Sequence, residues 1–198
     1  ALSSAIVSLG GDSIVMIALM VALVCLIMGM GLPTTAAYVL VAAVLAPALT
    51  EVGVPILTAH LFVFYFATIS VITPPVCVAV FVGAGIAQTN WVPAAFEAVR
   101  LAAIIYLLPF LLLLFPGMVL EGGALSIIDA ALAGLILVFA IPALLTHIRI
   151  THNRLFDRAM LAAVIILAIW PHPATPILAA AILLAAWGRA KYVNRVLG

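Results

Sequence analysis

A short break between two strongly apolar runs decides the fold, and it reads Gly29-Met30-Gly31-Leu32-Pro33-Thr34-Thr35. The apolar run before this break covers residues 13–28, and the run after it covers residues 36–49. Glycine and proline are poor helix formers, so a helix that enters the break is expected to end there. The pattern predicts two apolar helices joined by an uncharged turn.

The composition of the whole chain places it in a membrane. Apolar residues make up 69% of the 198 residues, charged residues make up 7%, and the mean hydropathy is +1.48. A soluble domain has roughly 45–50% apolar and about 25% charged residues. The apolar runs do not alternate with polar residues as membrane β-strands do. The sequence therefore predicts an all-α polytopic membrane protein that lies in the lipid bilayer, and its net charge of +1 gives no reason to expect a nucleic-acid partner.

The remaining apolar runs divide the chain into two predicted regions, residues 1–120 and 121–198. The first region contains a hairpin, a helix interrupted near its middle, a short interfacial helix and a transmembrane helix. The second contains three further transmembrane helices. The predicted bounds are 12–50, 56–88, 90–99 and 100–116 in the first region, and 124–146, 156–170 and 174–188 in the second.

The distribution of basic residues predicts the orientation. All seven Lys and Arg residues lie at Arg100 or later, mainly in the polar link 147–158 and near the C-terminus. Basic residues are enriched in cytoplasmic loops. This predicts an inner-membrane protein with the link and the C-terminus in the cytoplasm.

Two topologies are compatible with the hairpin region, residues 12–50. If both apolar runs crossed the membrane, residues 29–35 would form a cytoplasmic loop with no charge and with unusually many glycine, proline and threonine residues. A re-entrant hairpin with its tip inside the membrane accounts for both features and is the favoured interpretation. Two full spans remain the alternative.

A second break, Ser70-Val71-Ile72-Thr73-Pro74-Pro75, interrupts the long apolar segment 56–88. Proline has no N–H, so nearby carbonyl oxygens lose their helical donors and lie beside the hydroxyls of Ser70 and Thr73. Hard cations such as Na⁺ bind oxygen ligands of this kind. A helix that begins near Thr34 would present unpaired N–H groups, which favour an anion. A broken span opposite a hairpin is typical of secondary transporters, although a kink for close helix packing is the plainer alternative.

The sequence shows no constellation typical of an intramembrane enzyme. The two break regions contain no carboxylate pair, no His-Glu metal pattern and no Ser/His dyad in mid-span. The cysteines Cys25 and Cys77 lie inside apolar runs, where they are expected to pack as small apolar residues. We therefore expect no enzymatic activity and no cofactor, with Na⁺ only as a coupling ion.

Several stretches together resemble the large membrane subunit of tripartite ATP-independent periplasmic (TRAP) transporters. The resemblance covers about residues 2–120 and is closest to the fused-permease type, in which the small and large membrane subunits form one chain that works with a TAXI-type binding protein. Residues 124–198 resemble the extra C-terminal helices of that type only loosely. The stretches are Gly29-Met30-Gly31-Leu32-Pro33-Thr34-Thr35-Ala36-Ala37-Tyr38, Ala59-His60-Leu61-Phe62-Val63-Phe64-Tyr65-Phe66, Ile72-Thr73-Pro74-Pro75-Val76 and Gly83-Ala84-Gly85-Ile86-Ala87.

The resemblance implies an elevator mechanism in a fold of two inverted repeats, with Na⁺ flow driving import of an organic anion that a periplasmic binding protein delivers. It places Na⁺ near Gly29, Gly31, Ser70 and Thr73. The full set of implied ion- and substrate-binding residues is Gly29, Gly31, Pro33, Thr34, Thr35, Ser70, Thr73, Pro74, Pro75 and Val76. The start at Ala1 without a methionine is interpreted as a truncation. The first repeat and the small subunit are then expected upstream, and this chain alone is not expected to transport.

Two other functions fit the same residues. A related Na⁺/dicarboxylate carrier would need no binding protein, and a neighbouring gene for a secreted binding protein would argue against it. A non-transporting membrane scaffold would use both breaks only for packing. An upstream reading frame without a second glycine-rich hairpin and broken span would favour the scaffold.

Overall fold

A computed structural model of the chain describes residues 2–11, 13–145, 154–170 and 175–196. Regular structure in these residues is entirely helical, with ten α-helices and two 3₁₀ turns, Ser70–Ile72 and Pro116–Val119. The fold class predicted from composition, an all-α polytopic membrane protein, is confirmed. The helices are α1 (Leu2–Gly10), α2 (Ile14–Gly29), α3 (Thr34–Glu51), α4 (Ile56–Ile69), α5 (Val78–Ile86), α6 (Trp91–Leu101), α7 (Ala103–Leu114), α8 (Ala124–Leu145), α9 (Arg154–Ile169) and α10 (Thr175–Val196).

Within the described residues, three helical segments are long and apolar enough to cross a membrane: α3, the segment Trp91–Leu114, and α8. The helix α2 has 16 residues, whereas a straight span needs about 20. Length alone allows α3 to cross and leaves α2 short, so the choice between a re-entrant hairpin and two full spans stays a prediction.

Several helix bounds differ from those expected from the apolar runs. The helix α1 had no predicted counterpart. The segment 90–116 forms α6 and α7, which are separated only by Ala102. The backbone of α10 stays helical to Val196, beyond the predicted end at residue 188. An apolar run marks where a helix is buried in lipid or protein, while the helical backbone continues through any residues with adequate helix propensity.

The chain divides into two compact units, Ala1–Leu113 and Leu114–Gly198. The first unit packs α1 to α4 together and places α7 aromatic residues against this core. In the second unit, α8 packs against the 3₁₀ turn Pro116–Val119 and against α9 and α10. The close approach at the turn depends on Gly117, because a Cβ there would overlap the backbone of Ser126.

The core of the first unit follows from residues spaced four apart along each helix. Such residues share one helix face, and the corresponding faces of α2, α3 and α4 are buried against one another. The opposite faces expose large apolar side chains such as Leu19, Leu23 and Val39, as expected for surfaces that contact lipid. The buried set includes Ile17, Val21 and Cys25 from α2, Val41, Leu45 and Leu49 from α3, and Phe62, Val63 and Phe66 from α4.

Phe62 lies at the centre of this core with an exposed fraction of 0%. Its ring centroid lies 5.0 Å from that of Phe66 and 5.3 Å from that of Phe110 on α7. The second contact is edge-to-face, an arrangement that stabilises aromatic pairs beyond simple burial.

We expect Phe62→Ala to lower the free energy of unfolding of the detergent-solubilised protein by about 3 kcal/mol, near the lower end of values for buried phenylalanines. Lipid tails are as apolar as the ring, so the loss comes from the cavity and the lost ring contacts. The measurement is denaturant or thermal unfolding. Phe96→Ala is the matched control, because Phe96 is 69% exposed. Equal losses in the two variants would contradict the assignment of the core.

Candidate ion and substrate site

The two breaks seen in the sequence lie against each other in the structure. Gly29 is the last residue of α2 and is buried. A Cβ built on Gly29 would lie 2.5 Å from the Ser70 Oγ and 3.0 Å from the Ser70 Cβ. No side chain fits in that space, so the approach of the hairpin turn to the 3₁₀ turn requires glycine at position 29.

A second glycine in the hairpin turn has a different role. Gly31 adopts a positive φ of +77°, a conformation that residues with a side chain rarely adopt. A Cβ at Gly31 would lie 3.9 Å from the Val76 Cγ1, which is an ordinary contact distance. Gly31 is therefore required for the backbone turn, whereas Gly29 is required for packing.

The hydroxyls of the α4 break are hydrogen-bonded within the break. The Ser70 Oγ donates to the Ala67 carbonyl at 2.6 Å, and the Thr73 Oγ1 donates to the Ile69 carbonyl at 2.8 Å. Ser70 is only 1% exposed, while Thr73 is half-buried. The hydroxyl hydrogens of both residues thus bind the last carbonyls of α4, and lone pairs on both oxygens remain to accept.

The prolines of this break leave carbonyl oxygens without donors. Pro74 and Pro75 lie three residues after Val71 and Ile72 and have no N–H to offer their carbonyls. In the described part of the chain no other backbone N–H donates to those two oxygens. The peptide bond between Pro74 and Pro75 is cis. The chain then passes through Cys77, which is buried in a left-handed conformation with φ of +31°, and enters α5.

The hairpin turn ends at the N-terminus of α3. Pro33 caps the helix without a side-chain hydrogen bond, and the first backbone bond into the helix runs from the Ala37 N–H to the Pro33 carbonyl. The N–H groups of Thr34, Thr35 and Ala36 therefore lack intrahelical partners, which gives this end of α3 a partial positive charge.

The structure brings some of the predicted site residues together and leaves others apart. Gly29 contacts Ser70, and Gly31 lies beside Val76. Thr34 and Pro74 are half-buried, whereas Pro33, Thr35 and Pro75 are exposed. Among the described residues, no hydrogen bond joins the hydroxyl of Thr34 or Thr35 to the α4 break.

Two polar contacts near the breaks were not predicted from the sequence. The Tyr106 hydroxyl on α7 lies 2.6 Å from the Thr73 Oγ1, and the Tyr38 hydroxyl on α3 lies 3.0 Å from the His60 Nδ1 on α4. Tyr106 is the only residue of α7 with a polar side chain, and this feature of the sequence could have identified it as a candidate functional residue. Its partner could not be read from the sequence.

The atoms available at the breaks are hydroxyl and carbonyl oxygens and backbone N–H groups. Across the described ranges no group of three or more His, Cys, Asp or Glu residues could hold a metal ion. The arrangement therefore differs from transition-metal sites, which use imidazole, thiolate or carboxylate ligands. Neutral oxygens suit weakly held alkali cations that must bind and leave.

Comparison with protein families identifies the chain. The family model described as tripartite ATP-independent periplasmic transporter, DctM component, matches residues 1–127. The chain belongs to this DctM family. Neither the curated proteins nor the solved structures contain a match. The DctM match includes both breaks, Tyr106 and the first residues of α8.

Membership of the DctM family makes this chain a membrane permease component of a TRAP transporter. The family works with a periplasmic binding protein and a small membrane subunit, and its members are transporter components, which is consistent with the expectation of a non-enzyme. Together with the apolar helices, the match identifies a multi-pass membrane protein.

We expect Gly29→Ala to lower the free energy of unfolding by about 1–3 kcal/mol, as other overpacking substitutions do, because its methyl group overlaps Ser70. Thermal unfolding of the purified protein measures the loss. The penalty should shrink when Gly29→Ala is made in a Ser70→Gly background, where the overlapping atoms are absent.

Gly83→Ala is the matched control for this prediction. Gly83 is also helical, and nothing lies within 4 Å of a Cβ built there. Alanine should therefore be neutral or slightly stabilising at that position. If Gly29→Ala lowered the free energy of unfolding equally with and without the Ser70 side chain, contact with Ser70 would not be the reason that position 29 requires glycine.

Proposed function

We propose that the contact between the hairpin turn and the α4 break forms the ion and substrate site of a Na⁺-driven importer of organic anions. The observation that carries the proposal is the approach of Gly29 to Ser70, which joins two irregular backbone segments in a permease of the DctM family. Irregular backbone at membrane depth is tolerated only where it is buried in protein or lines a wet cavity.

The chemistry of the α4 break suits Na⁺. No backbone N–H of the described residues donates to the Val71 and Ile72 carbonyls, and the Ser70 and Thr73 oxygens keep lone pairs after their hydrogens are used. With the carbonyls of Gly29 and Gly31 on the hairpin turn, these oxygens provide the neutral ligand type that a coupling ion requires. Pro74, Pro75 and Val76 contribute by keeping this backbone segment non-helical, so that its carbonyl oxygens stay available.

The chemistry of the hairpin turn suits the anion. The N-terminus of α3 presents the N–H groups of Thr34 and Thr35, whose hydroxyls have no hydrogen-bond partner within the described residues. A carboxylate at this end would gain hydrogen bonds and a favourable interaction with the helix dipole. Pro33 shapes the entry to this helix end.

The remaining parts of the proposal concern the assembly. A TAXI-type periplasmic binding protein delivers the organic anion, and a small membrane subunit is fused to the same polypeptide. The transporter lies in the bacterial inner membrane with its C-terminus in the cytoplasm and works by an elevator movement. The basic residues after Arg100 support this orientation, and the resemblance to fused permeases supports the rest.

Uptake by the complete permease in proteoliposomes tests the proposal, with and without the binding protein and with and without an inward Na⁺ gradient. Uptake that requires both supports it. Uptake that needs Na⁺ but no binding protein would favour a receptor-independent Na⁺/dicarboxylate carrier. Uptake that needs the binding protein but ignores Na⁺ would refute Na⁺ coupling.

In the same assay, we expect Thr73→Val to raise the Na⁺ concentration for half-maximal uptake by about three- to tenfold. Valine keeps the shape of threonine but removes an oxygen, and a loss of about 1.4 kcal/mol corresponds to tenfold weaker binding. The measurement is the Na⁺ dependence of the initial uptake rate.

Thr68→Val is the matched control. Thr68 lies within α4, before the break. Its Oγ1 donates to the carbonyl four residues earlier, that of Phe64, at 2.8 Å, as the Thr73 Oγ1 does to Ile69. Its Na⁺ dependence should equal that of the wild type. A Thr73→Val variant with unchanged Na⁺ dependence would remove Thr73 from the site.

A further inference from the structure

The contact between Thr73 and Tyr106 joins the α4 break to α7, and the two residues are 33 positions apart in the chain. The Thr73 hydroxyl has one hydrogen, and its geometry directs that hydrogen to the Ile69 carbonyl at 2.8 Å. Because the Ile69 carbonyl can only accept, we assign the Tyr106 hydroxyl as the donor in the 2.6 Å contact with the Thr73 Oγ1. The result is a chain of hydrogen bonds from Tyr106 through Thr73 to Ile69.

This chain of hydrogen bonds fixes the Thr73 oxygen. A threonine oxygen has two lone pairs, and Tyr106 occupies one of them. The donor bond to Ile69 sets the rotation of the hydroxyl, and the acceptor bond from Tyr106 holds the oxygen in that arrangement, so the other lone pair keeps one direction. Without the Tyr106 hydroxyl, the Thr73 oxygen would keep its hydrogen bond to Ile69 and lose the one to Tyr106.

The surroundings of Tyr106 indicate that its hydroxyl, rather than its ring, is the specific feature. Tyr106 packs against the core of α1 to α4, where Phe110 and Leu113 of the same helix also pack. The other side chains of α7 are all apolar, so phenylalanine or leucine would fill this space equally well. A hydroxyl in such a place costs free energy unless it is hydrogen-bonded, and its bond goes to the break.

We propose that Tyr106 is a positioning residue for the coupling ion, acting by orienting the free lone pair of Thr73. This inference rests on the proposed function, in which the Thr73 oxygen contributes to the Na⁺ site. Tyr106 does not itself touch the ion or the substrate. It makes α7, which contains neither break, part of the ion-binding structure.

The test is Tyr106→Phe in the complete permease, which removes the hydroxyl and keeps the ring. The Na⁺ concentration for half-maximal uptake should rise about three- to tenfold, while the maximal rate and the KM for the anion at saturating Na⁺ stay at wild-type values. A merely structural residue would lower the maximal rate or the amount of folded protein instead. Tyr65→Phe is the control, since Tyr65 is half-buried on α4 and makes no hydrogen bond among the described residues.

A double-mutant cycle decides whether Tyr106 acts through Thr73. In a Thr73→Val background, Tyr106→Phe should have no further effect on Na⁺ dependence, because the oxygen that it orients is absent. The inference would be overturned if the double variant raised the Na⁺ concentration for half-maximal uptake by the product of the two single effects. It would also be overturned if Tyr106→Phe alone left this concentration unchanged. If uptake by the wild type were independent of Na⁺, the proposed function would be refuted. The role of Tyr106 in ion binding would then be refuted as well.

Discussion

The close approach of Gly29 to Ser70 is the constraint on which the rest of the first unit depends. In a membrane, a backbone N–H or carbonyl without a partner costs several kcal/mol if it faces lipid. At the end of α4, the hydroxyls of Ser70 and Thr73 bind the last carbonyls of the helix. The end of α2 packs directly against the 3₁₀ turn after α4, which is possible only because position 29 has no side chain. The core residues on the inner faces of α2, α3 and α4 then hold the two ends in place.

The two breaks have opposite chemical character. At the α4 break, Ser70 and Thr73 use their hydrogens on the last carbonyls of the helix, and the prolines remove further donors, so oxygens with unused lone pairs predominate. At the hairpin turn, α3 begins with N–H groups that have no intrahelical acceptor. A cation and an anion that travel together would each find a suitable end within one compact region. This pairing is the physical basis of the proposed co-transport.

Family membership and local chemistry support different parts of this picture. The DctM match covers residues 1–127 and establishes the transporter class, while α9 and α10 lie outside the matched residues. The hydrogen-bond chain from Tyr106 to Ile69 is independent of that match and links α7 to the break by geometry alone. In the proposed site, this contact would let a helix without any break support ion binding through an oxygen that it does not itself supply.

Composition alone determined that the protein is embedded in a membrane, because so few charged residues cannot keep a chain soluble. The lack of alternation in its apolar runs determined that it is helical. The positions of both breaks were also predictable, since glycine and proline act on their own backbone and need no distant partner. Helix bounds such as the extension of α10 were less predictable, because apolar runs report burial rather than backbone conformation. Only the tertiary structure decided that Gly29 meets Ser70 and that the hydroxyls of Thr73 and Tyr106 are hydrogen-bonded. Both contacts join residues far apart in sequence, and their distances depend on how whole helices pack, which no local pattern specifies.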